Sequence, residues 1–120
     1  MGFREERLGA AAMFLLPSLK LKEPAREGSS VEGRLHAFLM DHFGGYTAQA
    51  GNIFGYWRDE AGKASYGEHR EFTVALADES KMPVLKNFLA DIASELREDC
   101  IYLVANGEAI LIYATESGDK

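Results

Sequence analysis

Tyr46, Thr47, Trp57, Tyr66, Glu68, His69 and Arg70 are the residues of this chain whose types and spacing could do chemistry. The first three lie in FGGYTAQAGNIFGYW, residues 43–57, and the rest in SYGEHRE, residues 65–71. Aromatic positions separated by glycine can wall a pocket, because a strand glycine lets a ring, a backbone or a ligand come close. Tyr46, Thr47, Trp57 and Tyr66 would form the walls, and Glu68, His69 and Arg70 the polar contacts at the mouth. A general acid–base would need one of those three groups desolvated and shifted in pKa. A competing reading makes the same stretch a bent strand whose aromatics pack against a second subunit, and this is the stronger of the two.

Other chemistries find no footing. A phosphate loop needs G-x-x-x-x-G-K-[ST], and a dinucleotide fold needs G-x-G-x-x-G between a strand and a helix; here the glycines follow a helix. His36 and His42 are six apart, too far to share a helix face as metal ligands do. His42 falls on an apolar stripe, where a half-buried histidine near a helix C-terminus is the plain explanation. Glu68-His69-Arg70-Glu71 alternates charge as a protected edge strand does. Cys100 is the single cysteine, so neither an intrachain disulfide nor a cysteine zinc cluster is expected. Neither a cofactor nor a metal is implied.

The net charge of −6, with 13 basic residues scattered among 19 acids, argues against nucleic acid as a partner. Residues 9–16, GAAAMFLL, follow an Arg-Glu-Glu-Arg run that does not suit a secretory signal, and no apolar run approaches the roughly 18 residues of a membrane span. A cytoplasmic protein without a membrane partner is the expectation.

The elements that must position these residues read as follows. Residues 1–11 form an N-terminal extension, and 13–23 a strand whose Pro17 must lie at an edge or bulge. Ser29-x-x-Glu32 has capping-box spacing. Val31, Leu35, Phe38, Leu39 and His42 then recur at helical steps until Gly44-Gly45. Residues 46–58 are extended, 59–62 turn, and 64–77 return with Phe72, Val74 and Leu76 facing the core. A four-residue turn would put Gly51, Ile53, Gly55 and Trp57 on the core side; a three- or five-residue turn would put Phe54 and Tyr56 there instead. Both registers stay open. Continuing the core parity backward brings in Arg70, Glu68 and Tyr66, so this end must project beyond the helices or neutralise its charges at a rim. Ser80 is placed to cap a second helix with Pro83 in its first turn, and Met82, Leu85, Phe88, Leu89, Ile92 and Leu96 form its stripe. Strands over 100–105 and 108–114 flank the Asn106-Gly107 hairpin turn, and 115–120 is a tail.

This order predicts one α+β domain over 1–120. It is a ferredoxin-like βαββαβ unit with an extra C-terminal strand, two helices covering one face of a mainly antiparallel sheet. The Phe43-Gly44-Gly45-x-Thr47 helix end, the Gly55-x-Trp57 strand, Glu68, and Tyr102 and Val104 of the later strand resemble a group of small uncharacterised bacterial proteins, over residues 13–113. The resemblance implies the fold and a bacterial setting, and no chemistry. The leading functional expectation is a non-catalytic binding or regulatory module that forms a homo-oligomer of PII- or CutA-like architecture, with itself and a small molecule as partners. The alternatives are a small cofactor-free enzyme, monooxygenase- or isomerase-like, using the aromatic pocket, and a protein-interaction protein of a plasmid or phage accessory locus.

Overall fold

A computed structural model describes residues 2–22, 30–49 and 53–115. Six strands and two helices follow in the order β1 (Ala10–Pro17), α1 (Val31–Phe43), β2 (Thr47–Ala48), β3 (Ile53–Arg58), β4 (Ala64–Leu76), α2 (Lys81–Leu96), β5 (Cys100–Ala105) and β6 (Glu108–Tyr113). All pairings are antiparallel, in the order β2-β4-β1-β5-β6, with β3 beside β4 as well. This is the expected ferredoxin-like arrangement. β2 and β3 together serve as its second strand, and β6 extends the sheet beyond β5.

Period-two alternation decides which face is covered. Ala12, Phe14 and Leu16 of β1, Phe72, Val74 and Leu76 of β4, and Ile101, Leu103 and Ala105 of β5 are all buried. They meet Val31, Leu35 and Leu39 of α1 and Leu85, Leu89, Ile92, Ala93 and Leu96 of α2. The helices lock onto each other where Phe38 stacks on Phe88 at 3.7 Å between ring centroids. The opposite face of the sheet carries no helix among the described residues. The two-residue turn between β5 and β6 holds Asn106 at φ 54° and Gly107 at φ 76°, as the dipeptide predicted.

Several boundaries differ from expectation. β1 begins at Ala10 and ends at Pro17, followed by a 3-10 turn at Lys20–Lys22, so the N-terminal extension is shorter and the strand stops well before residue 23. Gly9 at φ 109° admits the chain to β1; a Cβ there would sit 1.9 Å from the Leu76 carbonyl oxygen. Ser29 lies outside the described residues, and Ser30 caps α1, its Oγ accepting from the Gly33 N–H at 3.0 Å. Gly44 closes that helix in the left-handed region, its N–H donating to the Met40 carbonyl. His42 is exposed rather than half-buried, its ring lying against Phe38 beyond the buried stripe. Thr115, placed in the tail, is docked: its N–H donates to the Ala90 carbonyl and its hydroxyl to Asp91.

Ser80 does not cap α2 with its side chain. Asp78 does the work, accepting from both the N–H and the hydroxyl of Ser80. Those hydrogen bonds hold the Asp78 carboxyl below its ordinary value of 3.8. A depressed folded-state pKa adds stability that is complete above the unfolded value and disappears as pH falls through the folded one. Asp78→Ala is therefore expected to melt below the wild type at pH 7, with the difference shrinking as pH drops under 3.8; parallel thermal melts across that range check it.

Candidate functional site

The loop between β3 and β4 settles the register. Arg58 pairs with Ala64 and Trp57 with Ser65, leaving a five-residue loop, 59–63. Phe54 and Tyr56 therefore point to the helix side with Tyr66, Glu68 and Arg70, while Ile53, Gly55 and Trp57 share the uncovered face with His69. Gly51 lies outside the described residues.

The seven residues expected to form one pocket are thus divided among three places. Tyr46 and Thr47 sit at the β2 edge, where the Tyr46 hydroxyl meets His36 Nδ1 at 2.8 Å. They border a cavity of about 610 Å3 beneath the N-terminal residues Glu6 to Leu8. Tyr66, Glu68 and Arg70 lie on the helix side of the projecting hairpin. The Tyr66 hydroxyl donates to Glu68 at 3.1 Å, and Arg70 reaches Glu32 of α1 at 2.8 Å with its guanidinium over the Phe72 ring. Partial desolvation first, then the hydrogen bond to Glu68 and that carboxylate's charge, push the Tyr66 phenol above its ordinary range. Phe54 and Tyr56 flank Tyr66, with centroids 5.9 and 5.1 Å away. The charges on the core parity are carried by a projecting end and by an ion pair to a helix, as the burial cost requires.

Trp57 and His69 occupy the third place, the uncovered face. Their rings meet edge to face at 6.1 Å. They fit because two glycines, Gly55 and Gly67, pair across the strands beneath them. A Cβ on Gly67 would lie 2.7 Å from the imidazole and 3.1 Å from the indole. From here a trough of about 550 Å3 crosses Leu15 and Pro17 of β1 to Cys100 and Tyr102 of β5 and Leu111 of β6. Glu98 and Asp99 close one end, Glu98 held by Lys20 at 2.6 Å. Desolvation, then the charges of Asp99 and Glu98, raise the Cys100 thiol above its ordinary value, so it stays protonated and apolar.

Trp57 and His69 were both expected in the site, one as a wall and the other as a polar contact, but the structure alone brings them together as a pair. Leu15, Tyr102 and Leu111 were not counted as site residues, although odd parity on β1 and even parity on β5 would have put Leu15 and Tyr102 on the uncovered face. The trough has the volume of a small-molecule site and mostly apolar, aromatic walls. Such walls suit a flat ring, and the acidic end suits a cation. Among the described residues no cluster of His, Cys, Asp or Glu is placed to hold a metal, and no helix is long and apolar enough to cross a membrane.

No family model and no curated protein matches the chain. Among solved structures it is similar to a phage SAM lyase in complex with S-methyl-5'-thioadenosine, with a TM-score of 0.56 and 11% identity over 95% of this chain and 96% of that one. A phage SAM lyase in the apo state aligns with a TM-score of 0.48 and 12% identity, over 96% of this chain and 99% of that one. The first likeness shows the fold. It corrects the leading functional expectation: the architecture taken to suit a non-catalytic binding or regulatory module is, over nearly the whole chain, that of an enzyme.

Proposed function

We propose that this chain is a small enzyme acting on a sulfonium nucleoside, S-adenosylmethionine, with cleavage to S-methyl-5'-thioadenosine in the trough of the uncovered sheet face. The observation that carries the reading is the trough itself: about 550 Å3, walled by Trp57, Tyr102, Leu111 and Leu15, with carboxylates at one end. The substrate offers a flat adenine, a sulfonium cation and an ammonium group. Indole and phenol faces attract the first by stacking and the second by cation–π interaction. Asp99 suits the ammonium, Glu98 beside it being paired with Lys20. The fold shared with a SAM lyase supports the substrate class.

The bond to be broken joins the sulfonium sulfur to the γ-carbon of the amino-acid chain. Its electron pair leaves on sulfur, which becomes a neutral thioether. The γ-carbon is taken by an oxygen of the substrate's own carboxylate, closing a five-membered lactone, so atoms and charge balance without a proton transfer. A cation and an anion neutralise each other in that step. Apolar walls favour it, because the opposite charges attract more strongly and lose less solvation as they merge. The residues' work is to hold the chain folded back and keep water out.

The setting is the cytoplasm, where a free thiol such as Cys100 stays reduced. The partners are this small molecule and further copies of the chain. Incubating the purified protein with S-adenosylmethionine and following the nucleoside by mass spectrometry tests the activity. Production of S-methyl-5'-thioadenosine above the protein-free rate is expected. Trp57 is the sole tryptophan, so titration with S-methyl-5'-thioadenosine should also change the protein's fluorescence. Neither product nor fluorescence change would overturn the proposal.

A further inference from the structure

Three strands leave an edge unpaired among the described residues: the two-residue β2 and the longer β3, which each pair only with β4, and β6, which pairs only with β5; the two long edges are β3 and β6. Such edges present rows of free N–H and C=O groups and are ordinarily blunted by proline, lysine or a bulge. Neither Ile-Phe-Gly-Tyr-Trp-Arg nor Glu-Ala-Ile-Leu-Ile-Tyr contains proline or lysine. Each is six residues long.

We infer that β3 of one copy pairs antiparallel with β6 of the next, joining the sheets edge to edge. In full register Arg58 faces Glu108, Trp57 faces Ala109, Tyr56 faces Ile110, Gly55 faces Leu111, Phe54 faces Ile112 and Ile53 faces Tyr113. Every feature of that alignment is favourable. The single charge on each strand meets its opposite. Both oversized neighbours, Trp57 and Leu111, oppose the smallest residues of the other strand. The remaining three pairs are aromatic on branched aliphatic, the combination that stabilises antiparallel sheets best. The faces agree too: Ile53, Gly55 and Trp57 lie on the uncovered face of β3, and Ala109, Leu111 and Tyr113 on the uncovered face of β6, so no side chain changes sides across the junction. The exposure of Phe54, Tyr56, Leu111 and Tyr113, between 50 and 75%, is what such a seam would cover.

The contact joins different surfaces, head to tail, so it propagates until a ring closes. It is argued from the sheet edges, although Trp57 and Leu111 also wall the trough, and its test reads subunit mass, so it can fail without the substrate reading failing. Arg58 and Glu108 are exposed, so their exchange spares the core. Native mass spectrometry and light scattering of the wild type should give a closed oligomer. Arg58→Glu and Glu108→Arg should each drive the mass toward the 13.3 kDa monomer, with circular dichroism confirming that the subunit still folds. The double exchange, which restores opposite charges with signs reversed, should recover the oligomer. A monomeric wild type, an oligomer indifferent to either single change, or a double exchange that stays monomeric would each overturn the pairing. Pairing of β6 with itself would respond to Glu108→Arg and not to Arg58→Glu.

Discussion

Phe72→Ala should cost this protein about 3–5 kcal/mol, the usual toll of emptying a buried phenylalanine site. Phe72 is 2% exposed, stacks on Phe14 with centroids 5.5 Å apart, and lies 6.2 Å from the Tyr46 ring. With Thr73 it is one of the two residues of β4 that pair with β1 on one side and β2 on the other, Phe14 and Ala48 being its partners. Its removal opens a cavity under the sheet's longest strand and takes away the ring beneath the Arg70 guanidinium, 5.3 Å from the centroid. A domain with about 5–15 kcal/mol in hand loses a large fraction of it, and the melting point should drop by on the order of 10–20 °C. Chemical denaturation should show the same loss without a change in slope, while Phe72→Leu should lose clearly less. A shift of only a degree or two for Phe72→Ala would mean that β4 is not the packed centre of the sheet.

The place of β4 in the core was readable because Phe72, Val74 and Leu76 alternate with Glu71, Thr73 and Ala75, and no other period fits. The same holds for the helix stripes, where Leu35 and Leu39 or Leu85 and Leu89 fall one turn apart. The site was less readable for a physical reason. A strand's faces are fixed by register, and the register of β3 depended on whether the loop at Asp59 held four or five residues. One residue's difference exchanges Trp57 for Tyr56 on a given face. The five residues found separate Trp57 and His69 from Tyr66, Glu68 and Arg70, which a list of neighbours in sequence had merged. Tyr46 and Thr47 were merged with them too, because nothing in the sequence marks where β2 leaves off and β3 begins. The far wall of the trough depends on β5 lying beside β1, a contact nearly ninety positions away along the chain. Caps failed at single-residue scale, Ser30 serving where Ser29 was expected and Asp78 where Ser80 was.

Trp57→Ala is expected to weaken S-methyl-5'-thioadenosine binding by roughly 5- to 150-fold, the range for losing one base–aromatic stack of about 1–3 kcal/mol. Stability should hardly change, because the side chain is 48% exposed and stands on the uncovered face. That separation distinguishes a ligand wall from a core residue, and Trp57→Phe should keep most of the affinity by keeping a ring. The indole is where it is because Gly67 lacks a side chain: a Cβ there would come within 3.1 Å of the indole and 2.7 Å of the imidazole of His69. Those are the far ends of movable side chains, so Gly67→Ala should fold and shift both rings instead of unfolding the hairpin. The strands meet at this point as a Gly55–Gly67 pair, so an added methyl has only the two rings to push against. Binding should therefore fall in Gly67→Ala although no group that touches the ligand has been removed. Calorimetric titration of the two variants beside the wild type checks this, and wild-type affinity in both would place the ligand somewhere other than the trough.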